Sequence, residues 1–336
     1  MFVTFENIKD KEKILKNYLN KKSFCCCLTK RKINKKFELS EPFEPEDVLW
    51  ENFGNFRYNY RQRCIRIILY LLVCVIIMVV SSLIILLFTK WQKNLTKKEK
   101  EPNIFLKYLI SIFINTIIAI TNSISEHVLK KWTNVEKNIS GTYYHLILSI
   151  KTSIFTFLNS AIVPLIAKVI IVNKKTKYDY NIDRNNLIVN DIFIFFLINA
   201  IITPLFWTFN YKHILKQIKI NNIENHIAPD NHHFMTQKEL NKLYEYEDMR
   251  ISYKYAYLAK TIAITLFYLP IFPIGLIISF IGIIFGYLLE LYNFTHIYKR
   301  PVMQNETISK VYMDFFVVIL FMGGLGDFLF FIKFSR

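Results

Sequence analysis

Seven long apolar runs, at 64–89, 104–125, 143–172, 187–211, 253–269, 271–294 and 311–334, constrain this chain more than any other feature. About 20 predominantly apolar residues cross the hydrocarbon core of a bilayer, where every backbone N–H and C=O must find a partner within the protein. Helices meet that demand. The fifth and sixth runs join into one apolar stretch of about 40 residues, which as a straight helix would measure about 60 Å, twice the hydrocarbon thickness. Pro270 and Pro273 stand near its middle and predict a tight hairpin between two ordinary spans. The fold class read from this pattern is all-α, a polytopic helical membrane protein with seven transmembrane helices.

Composition agrees. Hydrophobic residues make up 53% of the 336, with 30 Phe and 20 Tyr, and charged residues only 21%. A soluble domain of this length needs more polar surface. The net charge of +17 would suggest nucleic acid in a soluble protein. Here the basic residues lie between apolar runs, where they read as loops beside anionic lipid. The cysteines, Cys25, Cys26, Cys27, Cys64 and Cys74, have no zinc spacing and suit a reducing compartment for the N-terminal part. Met1–Phe5 runs into a charged segment, unlike a signal peptide.

Orientation follows from Lys and Arg in the loops. Segments 1–63, 126–142, 212–254 and 295–310 fall on one side of a seven-span chain and carry 27 of them, against 9 in 90–103 and 173–186. The first group, with the N-terminal segment, is therefore expected in the cytosol. The Asn94 sequon then faces outside and can be glycosylated, while those at Asn138 and Asn305 stay bare. Phe2–Phe5 reads as a strand already under way, and 7–19 as a charged amphipathic helix. The chain stops just after its last apolar run, so both ends read as cuts through a larger protein.

Three motifs occur in order: Glu44-Pro45-Glu46-Asp47-Val48-Leu49-Trp50-Glu51-Asn52-Phe53, Phe157-Leu158-Asn159-Ser160-Ala161-Ile162-Val163-Pro164, and the run from Met235-Thr236-Gln237-Lys238-Glu239 through Phe267-Tyr268-Leu269-Pro270-Ile271-Phe272-Pro273-Ile274-Gly275. Together they resemble the OSCA-type calcium-permeable stress-gated cation channels, over nearly the whole chain and with a more distant similarity to anoctamins. The resemblance implies that residues 1–48 are the C-terminal part of a cytosolic α+β RNA-recognition-like domain. It also implies that 49–63 is an amphipathic connector and 64–334 the channel region, equivalent to family helices three to nine. It further implies that Phe2 and Phe5, at positions that stack bases in true RNA-recognition domains, have no such role, so no nucleic acid partner is expected.

The family's ion pathway lies among its helices three to seven, which here means roughly residues 64–269. Polar groups on those spans are costly in lipid and must face water or other helices. Asn115, Asn122 and Glu126, spaced by seven and four, share one helical face. Such a stripe either lines an aqueous path or bonds helix to helix. Asn159, Asp191, Asn199, Thr203 and Lys260 are further candidates for pore lining. Asp191 or Glu126 could pair with Lys260. Lys151 either snorkels to the cytosolic interface or lines the inner vestibule. The resemblance makes 187–211 a gate helix. It holds no glycine, so its hinge candidate is Pro204. The apolar stretch 192–197 can gate by dewetting or simply face lipid.

Anoctamins bind calcium through acidic clusters on late helices. Glu290, Asp314 and Asp327 are single and scattered, so no metal site is expected, and no cofactor. Cys25–Cys27 beside Lys30, Arg31 and Lys32 could be acylated, or form an apolar strand. No Walker, nucleophile-elbow or metal motif is present, and no enzyme is expected. The implied function is passive, calcium-permeable cation conduction opened by tension or osmotic stress. The alternatives are a phospholipid scramblase or a truncated non-conducting fragment. The implied partners are membrane lipids, permeant cations including calcium, and a second copy as a homodimer, at the plasma membrane.

Overall fold

A computed structural model describes residues 6–14, 16, 44–52, 60–98, 104–167, 183–208, 211–225, 236–246, 248–299 and 306–334. Each apolar run becomes a helix, because within lipid no other local structure satisfies the backbone. The helices are α1 (Tyr60–Lys98), α2 (Ile104–Glu136), α3 (Gly141–Ala167), α4 (183–208), α5 (Tyr211–Asn225), α6 (Gln237–Tyr244), α7 (Ile251–Tyr268), α8 (Ile274–His296) and α9 (Thr307–Phe334). Among the described residues no strand occurs. The expected RNA-recognition-like part lies mostly outside them, including Phe2–Phe5 and Cys25–Cys27. Residues 8–14 are helical.

Five helices are long and apolar enough to cross a membrane: Cys64–Trp91, Leu109–Glu136, Gly141–Ala167, Ile274–His296 and Thr307–Phe330. The protein is an integral membrane protein on that ground. The expected seven spans become five by this measure, and the two that differ have a physical reason. α7 has only 18 residues and buries 11 of them, so Ser252, Lys260, Thr261 and Thr265 meet protein instead of lipid. The helix 183–208 has an apolar portion of only Asp191–Leu205.

The largest core forms around α7. Ala259, Ala263, Ile264, Phe267 and Tyr268 pack with Phe157 and Ala161 of α3, Phe196 of α4, and Tyr312 and Phe330 of α9. Phe267 meets Phe157 and Phe330 edge to face, with ring centroids 5.8 Å and 5.6 Å away. Gly326 permits the close approach of α9, since a Cβ there would stand 2.3 Å from the Phe267 carbonyl oxygen. A second core joins Ile85 of α1 to Ile110, Ile114 and Ile118 of α2.

The expected hairpin is present: α7 ends at Tyr268, α8 begins at Ile274, and Pro273 stands just before α8. The expected exit at residue 125 is not a helix end. α2 continues to Glu136, since Glu126–Glu136 is polar enough to leave lipid yet forms helix well. Likewise α1 runs from Tyr60 to Lys98, past both ends of its apolar run, and takes in the Asn94 sequon.

Candidate functional site

The first motif of the sequence closes the turn between α2 and α3. Its segment makes two short 3-10 turns, Pro45–Asp47 and Trp50–Asn52. Asp47 is 5% exposed. Its carboxylate accepts from the Thr142 backbone N–H at 2.7 Å and from the Ser140 hydroxyl, so it caps α3 beside the N-cap Ser140. Leu49 N–H donates to the Ile139 carbonyl at 2.8 Å, and the Asn52 amide to the Asn138 carbonyl at 2.8 Å. Gly141 leaves room for this clip, since a Cβ there would lie 3.0 Å from the Asp47 carboxylate. His145 of α3 then meets the Ser252 hydroxyl of α7 at 2.7 Å. Lys299, which lies just beyond α8, pairs with Glu245 at 3.1 Å and Asp248 at 2.7 Å. Those carboxylates raise the Lys299 pKa above its ordinary value.

Deeper in the bundle, three helices share a chain of hydrogen bonds. The Ser81 hydroxyl of α1 donates to Asn159 Oδ1 at 2.9 Å. Asn159 Nδ2 donates to Asn122 Oδ1 of α2 at 2.7 Å, and Asn122 Nδ2 donates to the Ser160 hydroxyl at 2.9 Å. Asn159 is 0% exposed. Asn122 and Asn159 thus bond helix to helix across α2 and α3.

Asn159 lies in a π-turn, Leu158–Ile162, and Asn199 lies in a second one, Ile198–Ile202. The two sequences match: Leu158-Asn159-Ser160-Ala161-Ile162-Val163-Pro164 and Ile198-Asn199-Ala200-Ile201-Ile202-Thr203-Pro204. In each, the residue before proline donates its N–H five residues back, Val163 to Leu158 and Thr203 to Ile198. The next such bond would run from the proline to the Asn carbonyl, and proline has no N–H. Each turn is therefore widened by an Asn with a Pro five residues later, a pattern present in the sequence but not picked out there as a signal. The hinge candidate Pro204 thus sits just after the irregular turn instead of at its centre. The Asn199 carbonyl accepts from the Tyr257 hydroxyl at 2.9 Å, and its amide donates to Thr261 at 3.0 Å. Thr203 bonds back to Ile198 at 3.5 Å. Within the apolar stretch 192–197, Ile192 and Phe196 are buried against the α7 core, while Phe193 is exposed.

A cleft opens between α1, α2, α3, α4 and the end of α7. Its polar lining is Thr89, Ser111, Asn115, Ser160, Asp191 and Tyr268. Asp191 is the charged group among these, and it accepts from the Ser111 hydroxyl.

Lys260 points its ammonium toward the Tyr257 ring, 5.3 Å from the centroid. Lys260 and Arg250 are the cations whose charge acts on Glu126. Lys151 pairs its ammonium with Glu136, in the segment expected on the cytosolic side, and lies 4.4 Å over the Trp132 ring. Glu290 is not isolated either, because it pairs with Lys254.

A protein-family model described as "Anoctamin: Calcium-activated chloride channel" matches residues 25–335. No curated protein matches the chain.

Proposed function

From the premise that this chain belongs to the anoctamin family, we propose that it is a channel subunit for passive cation conduction, calcium included, opened by membrane tension or osmotic stress. The observation carrying this reading is the cleft, whose charged lining among the described residues is the acid Asp191. One buried negative charge on an aqueous path concentrates cations and repels anions. The motifs resembling stress-gated channels support tension as the stimulus. Asn115, Asp191, Asn199 and Thr203 belong to the proposed path and its gate helix, with Pro204 beside the widened turn. Glu126 and Lys260 bring charge near its expected cytosolic end. Permeant cations, membrane lipids and a second copy are the proposed partners, at the plasma membrane with the N-terminal segment in the cytosol.

Scramblase activity is the second reading, since a groove of polar side chains could pass headgroups. Asn122 and Asn159 are engaged with one another, which leaves less of that groove available.

The test is reconstitution in liposomes under a NaCl gradient, with suction applied to a patch. A reversal potential near the sodium equilibrium value is expected, moving toward zero in Asp191→Asn. Reversal at the chloride value would favour anion conduction, and fluorescent-lipid flipping without current would favour the scramblase.

A further inference from the structure

The matching family is described by calcium activation, which raises the question of which residues could hold calcium. Calcium takes six to eight oxygen ligands, several of them carboxylates as a rule. Among the described residues no three His, Cys, Asp or Glu side chains come together as such a site. On the late helices α7 and α8, Glu290 is the acid, and its Oε2 is bonded to the Lys254 ammonium. Both side chains are largely withdrawn from solvent, 15% exposed for Lys254 and 21% for Glu290. Lys254 also lies 5.8 Å from the centre of the Tyr298 ring. Along α8 some polar atoms lack partners: Glu290 Oε1 and both side-chain atoms of Asn293, which is 0% exposed one turn further on. The residues present therefore do not fit a calcium ion. They fit a single compact cation, and the chain supplies its own.

We propose that the Lys254 ammonium is a tethered counter-ion in the α7–α8 crevice, holding the two helices together where a bound metal would otherwise be required, so that this chain does not use calcium there. Lysine suits the role because its charge is compact and its stem flexible. The Glu290 carboxylate cannot remain buried and ionised without a cation. α7 carries no acidic residue at all over Ile251–Tyr268, so nothing on the α7 side could share a divalent ion with Glu290.

Cutting the tether should open a gap in the crevice. Lys254→Ala leaves the Glu290 carboxylate facing an empty space of ammonium size, which then becomes a weak site for an added cation. Lys254→Arg keeps the charge and should behave as the unaltered chain.

The experiment tracks thermal unfolding of the whole chain in nanodiscs, in chelator and in about 1 mM calcium chloride, the weak end of biological calcium affinities. The unaltered chain is expected to show the same midpoint in both. Lys254→Ala should melt lower in chelator and recover part of the loss in calcium. Lys254→Ala with Glu290→Gln should melt higher than Lys254→Ala alone and ignore calcium. A calcium-dependent rise in the unaltered chain would overturn the proposal, as would a Lys254→Ala variant as stable as its parent. If Lys254→Ala fails to fold, Glu290→Gln decides: a lower midpoint that calcium leaves unchanged supports the pair, and a midpoint equal to the parent's overturns it.

Discussion

Tyr257 and Tyr268 stand eleven residues apart on α7, and each donates its hydroxyl into a different π-turn, to the Asn199 carbonyl at 2.9 Å and the Ala161 carbonyl at 2.8 Å. Eleven residues is about three helical turns, so both rings leave the same side of α7. One helix thereby steadies the irregular turns of its two neighbours, and this is why a short, partly polar helix sits at the centre of the bundle. π-turns of this kind recur at functional sites.

Tyr257→Phe leaves the Asn199 carbonyl with neither the hydroxyl nor an N–H from Pro204, at an expected cost of about 1–3 kcal/mol. Pro204→Ala restores an N–H, so the same Tyr257→Phe change should cost less in that background. Unfolding of the four chains in bicelles gives the coupling. Equal costs in both backgrounds would mean that the hydroxyl does not substitute for the missing donor.

Asn159 is the junction of α1, α2 and α3. Ser81→Ala and Asn122→Ala should each destabilise the bundle modestly, and a cycle between Ser81 and Asn159 should show coupling of about 0.6 kcal/mol, the usual size of a hydrogen bond between membrane helices. Additive effects would place Ser81 outside the network.

Asp47→Ala removes the cap from α3 and opens the clip on the α2–α3 turn. The loss of such a cap costs about 0.5–2 kcal/mol. Hydrogen exchange at 138–145 should accelerate while α8 is unaffected. Gly141→Ala should act in the same direction, by crowding the carboxylate.

These features were unevenly legible in the sequence. The α7–α8 hairpin could be read because two prolines interrupt one apolar run. The end of α2 could not, because hydropathy marks where a chain leaves lipid and not where its helix stops. Lys151 looked like a lone charge, since Glu136 reaches it only after α2 extends beyond its apolar part and α3 folds back. Lys254 and Glu290 lie 36 residues apart and meet only across the hairpin. Asn122 and Asn159 stand out in the sequence as polar groups that must face something other than lipid. Which partner each has depends on helix packing, and the repeated Asn-to-Pro spacing was visible without being read.

Outside the membrane, α6 is held by a capping box between Thr236 and Glu239. The Thr236 backbone N–H, then its hydroxyl, donates to the Glu239 carboxylate and holds its pKa below the ordinary value. A depressed carboxylate stabilises the folded turn above its unfolded pKa and loses that contribution as pH falls through the folded one. Helicity over Gln237–Tyr244 should therefore fray in acid, and Glu239→Gln should flatten the response, as read by amide chemical shifts. An unchanged profile in Glu239→Gln would assign the acid response elsewhere.

α1 is 39 residues long. Its apolar portion, Cys64–Trp91, corresponds to about 42 Å of helix against about 30 Å of hydrocarbon. That excess has to be absorbed by lean of the helix or by local swelling of the lipid. α1 packs chiefly along α2, so its other side is free to adapt to the bilayer. A thinner membrane would enlarge that excess, and any further lean of α1 would load the Ser81 hydrogen bond to Asn159 in the π-turn.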